Sequence, residues 1–154
     1  MINDVLTFAK SQIGVKEGLK NDNPFAKIAR HPNNQPWCMT FIYACFVKGN
    51  AYGQIMNTAL CPQLEAWAKK NNQIIPVEDA QPGDIVLFDF SKKGISEHVG
   101  LITAKYDADK KEIHTIEGNT SDGSGKGKSQ ANGDGVYTRH RSASLVRAVV
   151  RPKW

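Results

Sequence analysis

The sequence predicts an α+β fold in which N-terminal helices pack on an antiparallel β-sheet. Up to about residue 72, apolar residues recur at the spacing of amphipathic helices. Beyond that point the chain consists of short β-branched segments separated by turn residues. A run of helices followed by a run of strands is typical of α+β proteins, since α/β proteins alternate the two. We expect residues 1–154 to form a single domain.

Four helical segments are predicted in the first half. The first has apolar side chains along one face, and a short second helix opens on Pro24. A longer helix starts near Trp37 and runs to about Lys48, with Gly49 after it. The fourth has Pro62 in its first turn, where proline is tolerated. The apolar face of the first helix consists of Ile2, Val5, Leu6, Ala9 and Ile13.

Six strands are predicted in the second half. "DADKK", between Tyr106 and Glu112, indicates a hairpin connection between two of them. The segment "NTSDGSGKGKSQANGDG" is too rich in Gly and Ser to pack, and we expect it to be a mobile loop. The six strands correspond to "QIIPV", "GDIVLFDF", "HVGLITAKY", "EIHTIEG", "GVYTRH" and "LVRAVVR".

Charge and hydropathy exclude several classes of protein. No stretch approaches the ~18 to 20 apolar residues of a membrane span, so we expect no stable membrane insertion. The net charge of +5 suits an anionic envelope polymer. The basic residues are scattered without interleaved aromatics, and we expect no nucleic-acid partner. "MINDVLTFAK" lacks the features of a signal peptide. The sequence therefore indicates synthesis in the cytoplasm, and we expect a monomer.

The three cysteines do not form a disulfide framework, because their number is odd and no CxxC pair occurs. Cys45 lies two turns after Cys38 on the predicted helix, roughly 10 Å away, which is too far for a disulfide. Cys45 is therefore interpreted as a core residue. Cys38 stands at the start of the helix, where the helix dipole lowers a thiol pKa. Position alone leaves two possibilities for Cys38, a buried thiol or a nucleophile.

A nucleophilic cysteine requires a base, and the base requires an orienting group. His98 opens a predicted strand, and Glu117 and Asn119 end the next one. If the two strands pair about "DADKK", His98 comes near both. His114 lies on the opposite strand face from Glu117, which weakens it as the base. Each of these residues alone has an ordinary structural interpretation, whereas the combination with Cys38 favours a nucleophilic cysteine with its base and orienting group.

Four ordered motifs resemble one known family. "PWCMTFIYACF", "QPGDIVLFDF", "EHVGLIT" and "TIEGNTS" are similar in order and spacing to the CHAP domain of the NlpC/P60 papain-like superfamily. The resemblance is strongest to the versions in phage endolysins, and it extends over nearly the whole chain. It implies a papain-like α+β fold.

The resemblance also implies a function, that of a cysteine amidase or endopeptidase that cuts amide bonds in peptidoglycan. Cys38 matches the nucleophile and His98 the general base. Glu117 matches the third catalytic member, and Asn119 a supporting polar group. A phage endolysin that lyses its host from inside is the expected setting, with peptidoglycan as the partner.

No cofactor or metal is expected. Some members of the family bind calcium through an aspartate-rich loop before the cysteine. In this chain Asp22 is the only carboxylate of that loop, "KNDNPFAKIARHPNNQPWC".

Other functions remain open from the sequence. The same chemistry would serve a cytosolic cysteine amidase or peptidase acting on a small peptide conjugate, since a fold does not fix a substrate. A secreted antibacterial effector would be a variant of the wall-hydrolase hypothesis. A non-catalytic wall-binding or virion module is the non-enzymatic alternative, although it would have no need of Cys38, His98 and Glu117 together.

Overall fold

The computed structural model describes residues 1–124 and 132–154, and in this part of the chain four α-helices precede a six-stranded sheet. The helices are α1 (Ile2–Ser11), α2 (Phe25–Ala29), α3 (Cys38–Lys48) and α4 (Cys61–Lys70). The strands are β1 (Ile74–Ile75), β2 (Ile85–Phe88), β3 (His98–Ile102), β4 (Glu112–Thr120), β5 (Gly135–Ser142) and β6 (Val146–Val150).

The sheet is antiparallel throughout, in the order β1-β6-β2-β3-β4-β5. Strands β2 to β5 form the predicted meander, with each strand next to its successor. The last strand, β6, does not continue the meander but inserts between β1 and β2. The sheet therefore brings the C-terminal strand beside the segment that follows α4.

Helix α3 is the central helix of the fold. Every residue from Cys38 to Phe46 is buried, as expected for a helix that is apolar on all sides. It packs on β3 and β4, while α1 and α2 pack against it. The main hydrophobic core therefore lies between this helix and the sheet, and a smaller cluster around Phe88 and Ile102 covers the other face of the sheet.

Gly118 determines how closely α3 approaches β4. A Cβ atom on Gly118 would lie 2.5 Å from Phe41 Cβ and 2.9 Å from Trp37 Cζ3. Such contacts are far shorter than van der Waals distances, so the helix can occupy this position only against a glycine. The glycine of "EGN" thus fixes the place of α3 on the sheet.

The predicted elements are confirmed in type and approximate extent, with two corrections. Helix α1 ends at Ser11, and Ile13 lies beyond it with 45% of its surface exposed, so the assignment of Ile13 to the buried face was wrong. The predicted mobile loop was also wrong at its ends, because its first residues, Asn119 and Thr120, belong to β4 and its last, Gly135, belongs to β5. Its middle, residues 125–131, lies outside the described residues. Among the described helices, none has both the length and the apolar character needed to span a bilayer.

Candidate active site

Cys38 is the first residue of α3, and Trp37 is the N-cap. Its side chain is 8% exposed and contributes to the wall of a cleft of about 230 Å³. Gln35, Cys61 and Ser96 also line this cleft. The backbone N–H of Met39 acts to lower the pKa of the Cys38 thiol. The thiol thus stands at the amino end of a helix, within reach of small molecules that enter the cleft.

His98 is the first residue of β3 and is fully buried. Its Nε2 atom hydrogen-bonds to Oε1 of Glu117 at 2.8 Å. The ring packs against the rings of Phe88 and Phe90, with centroid distances of 6.2 and 5.7 Å. The second ring nitrogen, Nδ1, is buried and has no hydrogen-bond partner among the described residues. It is therefore the ring nitrogen left available for proton exchange, and Cys38 acts on this ring by raising its pKa.

The β3–β4 hairpin brings His98 and Glu117 together. Leu101 pairs with Ile116 in this hairpin, so Gly100 stands opposite Glu117 one residue further along. A Cβ on Gly100 would lie only 3.0 Å from Cγ of Glu117. The missing side chain leaves the space through which the carboxylate reaches His98. The glycine of "HVG" therefore has a steric function in this pair.

Arg141 of β5 holds the opposite side of the Glu117 carboxylate, which the sequence analysis did not foresee. Its Nη2 donates to Oε1 at 2.5 Å and its Nε donates to Oε2 at 3.0 Å. Thr115 donates to Oε2 as well, at 2.5 Å. Arg141 is 4% exposed and lies over the ring of Phe90, 4.8 Å from its centroid. Both oxygens of the carboxylate are thus held, which fixes its orientation toward His98.

The buried groups shift one another's pKa values. The hydrogen bond from Cys61 is the largest cause that lowers the pKa of Cys38 well below 9.0, and His98 adds to it against the effect of burial. Burial acts to lower the pKa of His98, but the Glu117 carboxylate and Cys38 raise it to about 9. Burial acts to raise the pKa of Glu117, but His98 and Arg141 lower it to about 2. These shifts favour a thiolate and a carboxylate balanced by an imidazolium and a guanidinium.

Asn119 is fully buried and has a left-handed backbone conformation, with φ of 53°. With its amide assigned the orientation that satisfies the surrounding donors and acceptors, its side-chain oxygen accepts from the backbone N–H of Trp37 at 3.2 Å, and its amide nitrogen donates to Glu17 at 3.2 Å and to the Gly133 carbonyl at 2.9 Å. The Trp37 indole donates to the same Glu17 carboxylate at 3.1 Å. Asn119 is thus hydrogen-bonded to the residue that precedes Cys38, and these contacts support the start of α3 instead of the His98 ring.

Cys61 is the second residue that sequence reasoning did not place in the site. It is the first residue of α4, and its sulfur lies 4.0 Å from that of Cys38. The neighbouring Cys38 and burial both raise the pKa of Cys61 well above 9.0. The sequence shows only that Cys61 and the proline after it stand at the start of a helix. This pattern does not indicate that the Cys61 side chain faces Cys38.

The described residues include one group that could offer three metal ligands, Glu112, His114 and His140. The two imidazole rings are stacked, with centroids 4.0 Å apart and planes 6° apart. One ion cannot lie in the planes of two parallel rings at once, so we assign no metal to this group.

In the loop before the cysteine, Asp22 accepts a hydrogen bond from Asn33 at 2.6 Å. The expectation that the protein needs no cofactor stays a prediction.

Comparisons with known structures identify the fold. The endolysin LysIME-EF1 is 16% identical, with a TM-score of 0.53 over 99% of this chain and 64% of the endolysin. The peptidoglycan hydrolase RipB of Mycobacterium tuberculosis is 17% identical, with a TM-score of 0.53 over 97% of this chain and 63% of RipB. This chain thus spans less than two thirds of either protein.

A third structure matches over most of both chains. It is the P60 domain of antigen MAP1204 from M. avium subspecies paratuberculosis, with 16% identity and a TM-score of 0.56 over 97% of this chain and 93% of that domain. These likenesses confirm the papain-like α+β fold predicted from the sequence. No curated protein matches the chain.

The family itself is shown by the sequence profile of the CHAP domain, which matches residues 30–119. This range includes Cys38, His98, Glu117 and Asn119, together with α3, α4 and the β3–β4 hairpin. It covers more than half of the chain, and the fold agrees with it. This protein therefore belongs to the CHAP domain family.

Proposed function

We propose that the protein is a peptidoglycan hydrolase that cleaves amide bonds by a Cys-His-Glu mechanism. The observation that carries the proposal is the arrangement of His98, which is hydrogen-bonded to Glu117 through Nε2 and has Nδ1 available to Cys38. A nucleophile, a base and an orienting group in this relation are what amide hydrolysis by a cysteine requires. Membership of the CHAP family and similarity to a protein described as a peptidoglycan hydrolase support the choice of polymer.

In the first step, the Cys38 thiolate attacks the carbonyl carbon of the scissile amide. The lowered pKa of Cys38 and the raised pKa of His98 favour a thiolate–imidazolium pair at neutral pH, so the nucleophile is already ionised. The carbonyl oxygen becomes an oxyanion. Backbone N–H groups in the first turn of α3, next to Cys38, are the donors we assign to it.

In the second step, His98 donates its proton to the leaving amine, and the C–N bond breaks to leave a thioester on Cys38. Neutral His98 then accepts a proton from water, and the resulting hydroxide attacks the thioester. The carboxyl product departs as the thiolate and the imidazolium form again. Glu117 keeps its charge throughout, since Arg141 and His98 both stabilise the carboxylate.

We further propose that the protein acts as a phage endolysin on the bacterial wall. The net charge of +5 favours approach to anionic wall polymers, and a structural likeness to an endolysin agrees with this setting. Its specificity depends on which amide bond it cuts, the bond between sugar and peptide or a bond within the peptides. Mass spectrometry of fragments from a defined peptidoglycan distinguishes an amidase from an endopeptidase by the newly formed termini.

The test compares the release of soluble fragments and free amines from purified peptidoglycan by the wild type and two variants. We expect Cys38→Ala to lose at least about 10³-fold in rate, because no other group can form the thioester. The His98→Ala variant should lose about 10² to 10⁴-fold. Circular dichroism and thermal unfolding establish that both variants are folded.

Two matched variants serve as controls. Cys45→Ala removes a buried thiol from the same helix, and His31→Ala removes an imidazole that binds Thr40 and Asn57, away from the cleft. Both should release fragments at nearly the wild-type rate. A Cys38→Ala variant as active as the wild type would refute the proposed nucleophile, and a folded wild type that releases nothing from peptidoglycan would refute the proposed substrate.

A further inference from the structure

Two thiols face each other in the cleft, and the proposed hydrolysis uses only one of them as a nucleophile. The sulfur atoms of Cys38 and Cys61 are 4.0 Å apart. Both side chains line the cleft, although each is less than a tenth exposed. A small solute that enters the cleft therefore meets both sulfur atoms, while the bulk of each side chain is protected.

Their positions allow the sulfur atoms to approach further. A disulfide bond is about 2.05 Å long, so the gap has to close by roughly 2 Å. Each cysteine is the first residue of its helix, Cys38 in α3 and Cys61 in α4. Both side chains border the cleft, so rotation about χ1 at these two helix ends is the movement that would bring the sulfur atoms together.

The third cysteine, Cys45, has neither property. It is fully buried in α3, is not among the residues that line the cleft, and its pKa is raised by burial. A thiol in such surroundings is unreactive toward oxidants. The chain thus contains a thiol pair and, on the same helix as Cys38, an internal reference thiol.

We propose that Cys38 and Cys61 are a modification site at which peroxides form an intramolecular disulfide. In the first step the Cys38 thiolate attacks one oxygen of hydrogen peroxide, the O–O bond breaks, and Cys38 sulfenic acid and hydroxide result. In the second step the Cys61 sulfur attacks the sulfenic sulfur and hydroxide leaves, taking up the Cys61 proton as water. Overall, two thiols are oxidised to one disulfide while one peroxide is reduced to two water molecules.

The pair has two consequences for the protein. The disulfide removes the nucleophile, so the chain is inactive until a thiol reductant restores it. Formation of the disulfide also consumes the sulfenic acid of Cys38 before a second peroxide oxidises this group to sulfinic acid, which thiols do not reduce. Cys61 would therefore act as a resolving thiol that makes oxidation of Cys38 reversible. The chemistry of the pair is independent of the polymer that is cut, and only its effect on activity depends on the proposed function.

The experiment treats the full chain with a small excess of hydrogen peroxide and measures intact mass, peptide links and fragment release before and after dithiothreitol. The wild type should lose about 2 Da and show a peptide link between Cys38 and Cys61, and dithiothreitol should restore its activity. Cys61→Ser should instead gain about 32 Da at Cys38 and stay inactive after dithiothreitol. The Cys45→Ser variant should respond as the wild type does.

The mass readouts keep this inference separate from the proposed function. If the wild type gains about 32 Da at Cys38 while Cys61 stays a free thiol, or if Cys45 is in the disulfide, the inference is wrong. If the Cys38–Cys61 disulfide forms in a chain that releases nothing from peptidoglycan, the modification site stands and the proposed function fails. Should Cys61→Ser be unfolded, Cys61→Ala replaces it, and the wild-type peptide map remains decisive by itself.

Discussion

Cys38 and Cys45 belong to the same helix and are both buried, yet their thiols have opposite properties. The pKa of Cys38 is lowered by Cys61 and His98, whereas burial alone raises the pKa of Cys45. Seven residues, or about two helical turns, separate them. Residue type and solvent exposure are thus poor guides to reactivity here. The groups that surround each sulfur determine how reactive the thiol is.

The same contrast holds for the two ends of α3. Its first turn meets polar groups, including the Glu17–Asn119 contacts to Trp37 and the Cys61 thiol. The later part packs among apolar side chains, such as Phe46 against Trp154, with ring centroids 5.7 Å apart. One helix therefore provides a reactive amino end and an inert anchor.

Beyond removal of Cys38 or His98 itself, the largest expected effect comes from Glu117→Gln, which changes the reactive end through His98. The proposed mechanism requires an imidazolium, so kcat/KM should fall as the pH rises through about 9, the pKa of His98. Without the carboxylate, burial lowers that pKa, and the alkaline fall should occur at a lower pH. We expect a loss of about 10²-fold in kcat/KM near neutral pH. The measurement is the pH dependence of kcat/KM.

Glu112→Gln, on the same strand but partly exposed, is the control and should leave the profile unchanged. Because Glu117→Gln also leaves Arg141 without its carboxylate partner, thermal unfolding has to establish the folded fraction. An alkaline limb at the wild-type pH in a folded Glu117→Gln variant would mean that the carboxylate does not set the state of His98.

The next effect is on stability, through the contact between α3 and β4. Gly118→Ala places a methyl group where Phe41 and Trp37 already lie, at 2.5 and 2.9 Å. We expect the free energy of unfolding to fall by about 1 to 3 kcal/mol, because the helix must move outward. Urea denaturation measures the change. Gly53→Ala is the matched control, since no atom lies within 4 Å of its Cβ position and stability should hardly change.

The smallest effect concerns the inert end. Cys45→Ala removes one buried sulfur and leaves a small cavity, so we expect a loss of about 1 kcal/mol in unfolding free energy. Its kcat/KM should stay within about twofold of the wild type. Urea denaturation and fragment-release kinetics measure the two quantities. A marked fall in kcat/KM with unchanged stability would contradict the division of α3 into a reactive end and an anchor.

Local pattern was sufficient to predict much of this molecule. Helix α3 is a mostly apolar segment that begins just after Trp37 and ends before Gly49, and both bounds lie close to the predicted ones. The hairpin about "DADKK" predicted the approach of His98 to Glu117, since antiparallel register follows from the turn. What could be predicted were contacts between neighbouring elements.

Contacts between distant elements could not be predicted. Arg141 lies on the fifth strand and is buried, whereas an arginine in an alternating strand usually faces solvent. Cys61 reaches Cys38 only because two helix ends converge. The position of β6 between β1 and β2 likewise depends on long-range packing. Contacts between elements that are far apart in the chain leave no periodic pattern in the local sequence.

The buried charge set has a consequence for behaviour in salt. The thiolate, carboxylate, imidazolium and guanidinium of Cys38, Glu117, His98 and Arg141 sum to zero net charge and are almost inaccessible to solvent. Dissolved ions screen such groups little, whereas the Debye length of about 8 Å at physiological ionic strength limits attraction between the +5 chain and a charged polymer. Ionic strength should therefore govern how firmly the protein attaches to its polymer and leave the rate of bond cleavage nearly constant.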